Sequence, residues 1–152
     1  MAQAPVIEEG WCLRRTVLPQ HADHAGVMWH GAYLAWLEEA RVGALEQAGL
    51  PYHRLVNQGV ELPVVSLRLD YRQPLLLGDA VEVRSHLRPR RGVRLHFVSR
   101  MLSPRGGVAA EAEVVLAPVA QTPAGPVVIK RLPTELRSAL ETLETRQRTV
   151  RQ

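Results

Sequence analysis

The sequence predicts one α+β domain in which a single long helix is covered by an antiparallel sheet. Two periodicities and the size of the chain carry that reading. Tyr33, Trp36, Leu37, Ala40, Ala44 and Ala48 recur at three- and four-residue spacing, which puts them on one apolar helix face. After Glu61 the apolar residues alternate instead with period two, the pattern of half-buried antiparallel strands. The chain has 152 residues and 46% hydrophobic content, enough for one real core, and its 11 glycines and 11 prolines fall as single breaks rather than as a linker. A single domain over 1–152 is expected, with its core at 11–142 and flexible ends.

Taken in order, Trp11 to Leu18 reads as a first strand that ends at Pro19. A polar loop follows, then the long helix, which Gly49-Leu-Pro51 stops because Gly tolerates a left-handed cap and Pro cannot continue. In Val65–Arg72 the residues Val65, Leu67, Leu69 and Tyr71 face one way and Ser66, Arg68, Asp70 and Arg72 the other. The same alternation marks Val81–Arg88, Val93–Arg100 and Ala110–Val114, with hairpin turns at Pro89–Gly92 and Ser103–Gly107. A short last helix starts near Pro133-Thr134, with Leu136, Leu140 and Leu143 on one face, and frays at the end. One strand, one helix and four strands in meander order outline the hot-dog fold, a curved five-stranded antiparallel sheet wrapped around a central helix.

Composition excludes several classes of function. The lone cysteine, Cys12, rules out an internal disulfide framework and a thiolate-rich zinc site, and reads as a small buried apolar residue in a reducing cytoplasm. The N-terminus lacks the basic start and apolar run of a signal peptide, and no apolar stretch approaches the roughly 20 residues of a membrane span. The formal charge is +4, and every basic residue except Lys130 is arginine. Such a surface could serve nucleic acid or a phosphate-bearing small ligand, but most of these arginines read as solvated strand residues, and the few aromatics are not interleaved with basic runs as nucleic-acid binding would need.

The richest chemistry lies in His21-Ala-Asp-His-Ala-Gly-Val-Met-Trp-His30. Three imidazoles and a carboxylate are competent for zinc, but no pair of histidines is spaced to present two ligands from one helical face, so no metal is expected. His21 and His24 read as loop residues, and His53, His86 and His96 as strand- or loop-surface residues. The start of the helix at His30-Gly31 offers unpaired backbone N–H groups and the positive end of the helix dipole.

Asp23-x-x-Gly26-Val-x-Trp29-His30-x-x-Tyr33-Leu-x-Trp36-x-Glu38-x-Ala40-Arg41 closely resembles the signature of the 4-hydroxybenzoyl-CoA thioesterase-like family of hot-dog acyl-CoA thioesterases. Weaker likenesses lie in Gly59–Ser66, Leu75–Asp79 and Arg131–Leu140, so that the resemblance covers about 11–142. Where many members carry Asp-Thr-Asp, this chain has His21-Ala22-Asp23, which replaces the first acid and keeps the second.

The resemblance implies hydrolysis of an acyl-CoA to acid and coenzyme A, with no cofactor beyond the substrate. Asp23 is then the catalytic carboxylate, as nucleophile or as general base, and the His30 backbone N–H polarises the thioester carbonyl while Gly31 allows close approach. Gly26, Trp29, Tyr33 and Glu38 are the expected substrate-binding positions, with Glu38 the alternative carboxylate and Trp29, Tyr33 and Trp36 also readable as core. Arg88, Arg90 and Arg91 fall in a turn that the family uses near the nucleotide phosphates. The thiolate leaving group has a pKa of about 8.5 and needs little acid assistance. The acyl group is aromatic, of hydroxybenzoyl or dihydroxynaphthoyl type, or short to medium aliphatic. A homodimer or homotetramer is implied, in which two sheets join edge to edge and sites form between subunits, and the second face of the sheet, with Val98 and Val115 among charges, is a further surface for association. The alternatives are a non-catalytic acyl-CoA-binding module and an acyl-carrier-protein thioesterase. A hot-dog dehydratase would need a different His and acid motif, which is absent.

Overall fold

The computed structural model describes residues 10–150. After β1 (Trp11–Thr16) and one 3-10 turn (Pro19–His21) comes α1 (Ala32–Gln47), then α2 (Tyr52–Asn57), β2 (Val60–Glu61), β3 (Val64–Tyr71), β4 (Ala80–Leu87), β5 (Leu95–Leu102), β6 (Val108–Leu116), β7 (Val119–Thr122), β8 (Gly125–Val128) and α3 (Thr134–Val150). Five strands form one antiparallel sheet in the order β1-β4-β5-β6-β3, and β2, β7 and β8 form a second, small sheet.

Helix α1 lies on the large sheet with the face that its periodicity marks. Tyr33, Trp36, Leu37, Ala40 and Ala44 are all buried, together with Val81, Val83, Phe97, Met101 and Val114 from the strands. Gly43 lets β1 approach the helix, since a Cβ there would lie 3.0 Å from the Trp11 ring. The helix ends as expected, with Gly49 at φ +95° and the Leu50 N–H returning to the Leu45 carbonyl at 2.9 Å. Among the described residues, no helix is long and apolar enough to cross a membrane.

Several expectations are corrected. The four later strands do not form a simple meander: β4, β5 and β6 do, but β3 pairs with β6, Leu67 opposite Val114 and Tyr71 opposite Ala110. Alternation reports which side a residue faces and carries no information on which strand lies alongside. The segment 72–79 therefore crosses the sheet, anchored by the Arg72 and Gln73 N–H groups on the Ala109 carbonyl, and sinks Leu75 completely into the core. As a free edge, β3 leaves Val65, Leu67 and Tyr71 about half exposed, so its regular pattern does not mark a buried face. Helix α3 is 17 residues long, about the length of α1 rather than short. The small sheet and α2 carry too few residues to show a period. Cys12 is exposed rather than buried, because it alternates out of β1 beside the buried Leu13. Val115 is buried and Val98 partly so, and the face around them carries the cross-strand ion pairs Arg72–Glu111 and Arg88–Glu113 at 2.8 and 3.2 Å. His96 is also partnered, its Nδ1 lying 3.2 Å from Glu113.

Helix α3 closes the remaining end of the core with Leu136, Leu140 and Leu143, and its Gln147 amide exchanges two 2.8 Å hydrogen bonds with the Leu87 backbone. Leu140 is fully buried. Leu140→Ala is expected to lower stability by about 2–5 kcal/mol, measured by urea unfolding at fixed protein concentration. A loss under about 0.5 kcal/mol, the range of surface substitutions, would mean that α3 does not belong to the core.

Candidate active site

The site is built on a turn between β1 and α1. Asp23 opens it: its Oδ1 accepts the N–H groups of Ala25 at 2.9 Å and Val27 at 3.0 Å, while its own backbone exchanges bonds with Val27 and Gly26. The turn closes through Gly26 at φ +75°, a conformation that a side chain would strain. These bonds, that of Val27 foremost, hold the Asp23 carboxyl below its usual pKa, with a smaller contribution from His24. The other oxygen, Oδ2, has no partner among the described residues, and the carboxylate faces outward.

Replacement of the first family acid by His21 does not loosen Asp23, because the bonds that orient it come from its own turn. His21 instead supports the turn. Its Nδ1 accepts the Leu18 N–H at 3.0 Å, its carbonyl accepts the Trp29 N–H at 3.0 Å, and its ring stands edge-on to Trp36 at 5.2 Å. His24 is exposed, and the described residues contain no group of three or more His, Cys, Asp or Glu placed to hold a metal.

At the helix start, the carbonyl of Trp29 accepts the Ala32 N–H at 3.0 Å and the carbonyl of His30 accepts the Tyr71 hydroxyl at 2.7 Å. In a trans peptide the N–H points opposite to the carbonyl, so fixing these two oxygens aims the N–H groups of His30 and Gly31. Neither N–H has a protein acceptor among the described residues. Beside them lies a cavity of about 310 Å³ lined by Met28, His30, Tyr33, Tyr71 and Gln73 among others. Tyr33 and Tyr71 meet edge to face at 4.9 Å, and burial pushes both phenols up, Tyr33 the more deeply placed. This region offers fixed donors for an anionic oxygen on the positive end of a helix.

Not every expected residue converges there. Asp23 and His30 share the loop, but Asp23 does not line the cavity. Gly31 is not open: a Cβ would fall 2.1 Å from the Trp29 indole, so its hydrogen makes room for that ring, which is itself 46% exposed and not core. Glu38 lies two turns along α1, on a second cavity. The three arginines do not cluster. Arg88 pairs with Glu113 at 3.2 Å and Arg90 with Glu144 of α3 at 2.7 Å, while Arg91 is exposed. Sequence reasoning missed Tyr71, whose hydroxyl sets the His30 carbonyl. It also missed the support given by Asp79, whose Oδ2 accepts the Leu76 N–H at 2.8 Å and pairs with Arg105 at 2.8 Å. Arg105 holds the Asp79 carboxyl below its usual range. Neither partner is near in sequence, so no local signal marks the pair.

Residues 17–140 match the thioesterase-like superfamily. The chain belongs to that family. A Synechocystis protein, sll0410, is 36% identical over 129 residues, 84% of this chain and 76% of its own length. The Escherichia coli acyl-CoA thioester hydrolase YbgC is 28% identical over 106 residues, 70% of this chain and 78% of its own. The crystal structure of TT1821 from Thermus thermophilus has a TM-score of 0.78 and 36% identity, covering 88% of this chain and 98% of that one. Membership confirms the hot-dog fold and puts the protein among thioester hydrolases.

The contact between Trp29 and Gly31 gives a direct test of the helix start in this thioesterase-like chain. Gly31→Ala should displace the indole and lower kcat/KM by up to about a hundredfold, as for a misplacement of about 1 Å. Removing the ring as well, in Gly31→Ala/Trp29→Ala, should recover activity to the level of Trp29→Ala alone. A double variant as impaired as Gly31→Ala would show that the added methyl acts on something other than Trp29.

Proposed function

We propose that the protein is an acyl-CoA thioesterase that uses Asp23 as its catalytic carboxylate. One observation carries the reading: an ionised carboxylate with a free oxygen sits in the loop that leads to a helix start with two aimed, unpaired N–H groups. The thioester carbonyl oxygen accepts the His30 N–H, with Gly31 beside it, so that negative charge developing on that oxygen meets fixed donors. Asp23 then acts in one of two ways. As nucleophile, its Oδ2 bonds to the acyl carbon, the C–S bond breaks to release coenzyme A thiolate, and water cleaves the mixed anhydride to return the carboxylate. As general base, it takes a proton from a water that attacks the same carbon, and the proton passes to the departing sulfur.

The acyl group occupies the cavity of about 310 Å³, where Tyr33 and Tyr71 suit an aromatic acyl group of hydroxybenzoyl or dihydroxynaphthoyl type and a short or medium aliphatic chain fits as well. Trp29, 46% exposed beside Gly31, is available to touch the acyl group, and Gly26 permits the positive φ of the Asp23 turn. Coenzyme A phosphates would meet Arg91 first, since Arg88 and Arg90 are already paired with acids. The protein acts as a homodimer or larger homo-oligomer. Support for this lies in the outward-facing Asp23 and in the free β3 edge, whose Val65, Leu67 and Tyr71 a second copy would cover while excluding water from the site.

Asp23→Asn preserves size and the Ala25 and Val27 bonds but removes the charge. It is expected to cut turnover of acyl-CoA at least about a hundredfold with unchanged unfolding, measured as thiol release across a panel of aromatic and aliphatic esters. Full activity in this variant would remove Asp23 from the mechanism, and no thiol release by the wild type on any ester would overturn the reading as a whole.

A further inference from the structure

Helix α1 carries a second cavity, of about 450 Å³, on its flank. Its walls are mostly apolar, with Val42 of α1, Leu62 and Pro63 before β3, Val64 at the start of β3 and Leu116 at the end of β6, and Tyr52 and Glu38 add polar groups. Into this lining comes Arg41, whose side chain is only 14% exposed. Its one acidic neighbour is Glu38, at 3.7 Å, too far for a hydrogen bond, and that carboxylate is 70% exposed. Among the described residues, nothing accepts a hydrogen bond from the Arg41 guanidinium. Burial pushes its pKa down, but an arginine stays charged. A charged fork with five donors therefore lines this cavity and is open to an acceptor that enters it.

The cavity also stands in line with the helix start. The two ends of β3 meet α1 in the opposite order, Tyr71 reaching His30 at one end and Val64 sharing the cavity lining with Glu38 and Arg41 at the other. Along the intervening stretches Leu34 of the helix and Leu67 of the strand are 43% and 44% exposed, Ser66 and Arg68 being the exposed polar residues of the strand. From His30 to Arg41 the helix rises about 16 Å, part of which the long Arg41 side chain itself spans. An extended, medium-length chain therefore fits between the two ends.

We propose that Arg41 is a specificity residue that binds a carboxylate at the far end of the acyl chain, so that the preferred substrates are ω-carboxyacyl thioesters, monothioesters of dicarboxylic acids. This rests on the thioesterase reading above and adds the class of acyl group. The apolar track holds the methylenes and the guanidinium takes the terminal carboxylate as a two-oxygen, two-donor pair. Glu38, 70% exposed at the mouth and paired with Arg41 only loosely at 3.7 Å, turns into solvent as the substrate carboxylate takes the guanidinium.

The test compares decanoyl-CoA with the monothioester of decanedioic acid and coenzyme A. The wild type should favour the acid-ended ester in kcat/KM by about 10- to 100-fold, the value of a charged hydrogen-bonded pair. Arg41→Gln should bring that ratio towards one, and Arg41→Lys should restore part of it. A second measurement needs no turnover: calorimetric titration with free decanedioic acid and with decanoic acid should show the diacid binding more tightly to the wild type and losing that advantage in Arg41→Gln. Equal rates on the two esters in the wild type, or a preference that survives Arg41→Gln, would overturn the role of Arg41 and leave the thioesterase reading standing. Hydrolysis of neither ester, with no selective binding of the diacid, would overturn the role of Arg41, and absence of thiol release from every aromatic and aliphatic ester as well would overturn both.

Discussion

The hydrogen bonds between the Asp23 turn and the crossover 75–79 are the constraint on which the site depends. Met28 donates to the Leu75 carbonyl at 2.7 Å and Leu77 to the Gly26 carbonyl at 2.9 Å, while Val17 and Gly78 bond across to Asp79 and Val17 at 2.9 and 2.8 Å. Leu75, fully buried, roots the crossover in the core. The Asp79–Arg105 pair ties the same crossover to the β5–β6 hairpin. A loop between a strand and a helix would otherwise be the most mobile part of the chain. Here it is laced to the sheet on one side and held by the His21–Trp36 contact on the other, so the turn that presents Asp23 inherits the rigidity of the core.

Much of this fold was legible because its strongest elements have clean periods. The apolar face of α1 and the Gly49 stop follow directly from spacing, and β4 and β5 alternate just as buried strands should. What spacing cannot carry is adjacency. The β3 strand alternates as regularly as its neighbours, yet it lies at the far edge beside β6, because the choice between meander and crossover is made by Leu75 and the backbone of 72–79. The two-residue β2 and the four-residue β7 and β8 are too short for any period to emerge.

The site was legible in a different way. Asp23, Gly26 and His30 are consecutive parts of one turn and its exit, so their roles can be inferred from the local chain. Tyr71 reaches His30 across 41 positions and Arg105 reaches Asp79 across 26, and neither contact leaves a trace in local sequence. The arginines of the β4–β5 turn show the opposite error. They are close in sequence but diverge in space, since Arg88, just past the end of β4, pairs with Glu113 while Arg90 turns to Glu144 of α3. Proximity in sequence predicts a shared site within one turn and fails where a strand ends and its side chains part.

One idea joins the fold to its chemistry: the backbone of a short turn, braced by the sheet, keeps Asp23 ionised and in place. The sign of the effect is definite. Donors that favour the charged form lower the folded-state pKa, so the stabilisation is fully present above the unfolded value near 4 and is lost as pH falls through the folded one. Carbon-13 NMR titration of the protein labelled at aspartate carboxyls, with Asp23→Asn to assign the resonance, measures this directly. The account predicts that Asp23 titrates below the ordinary aspartate range; titration at or above that range would contradict it.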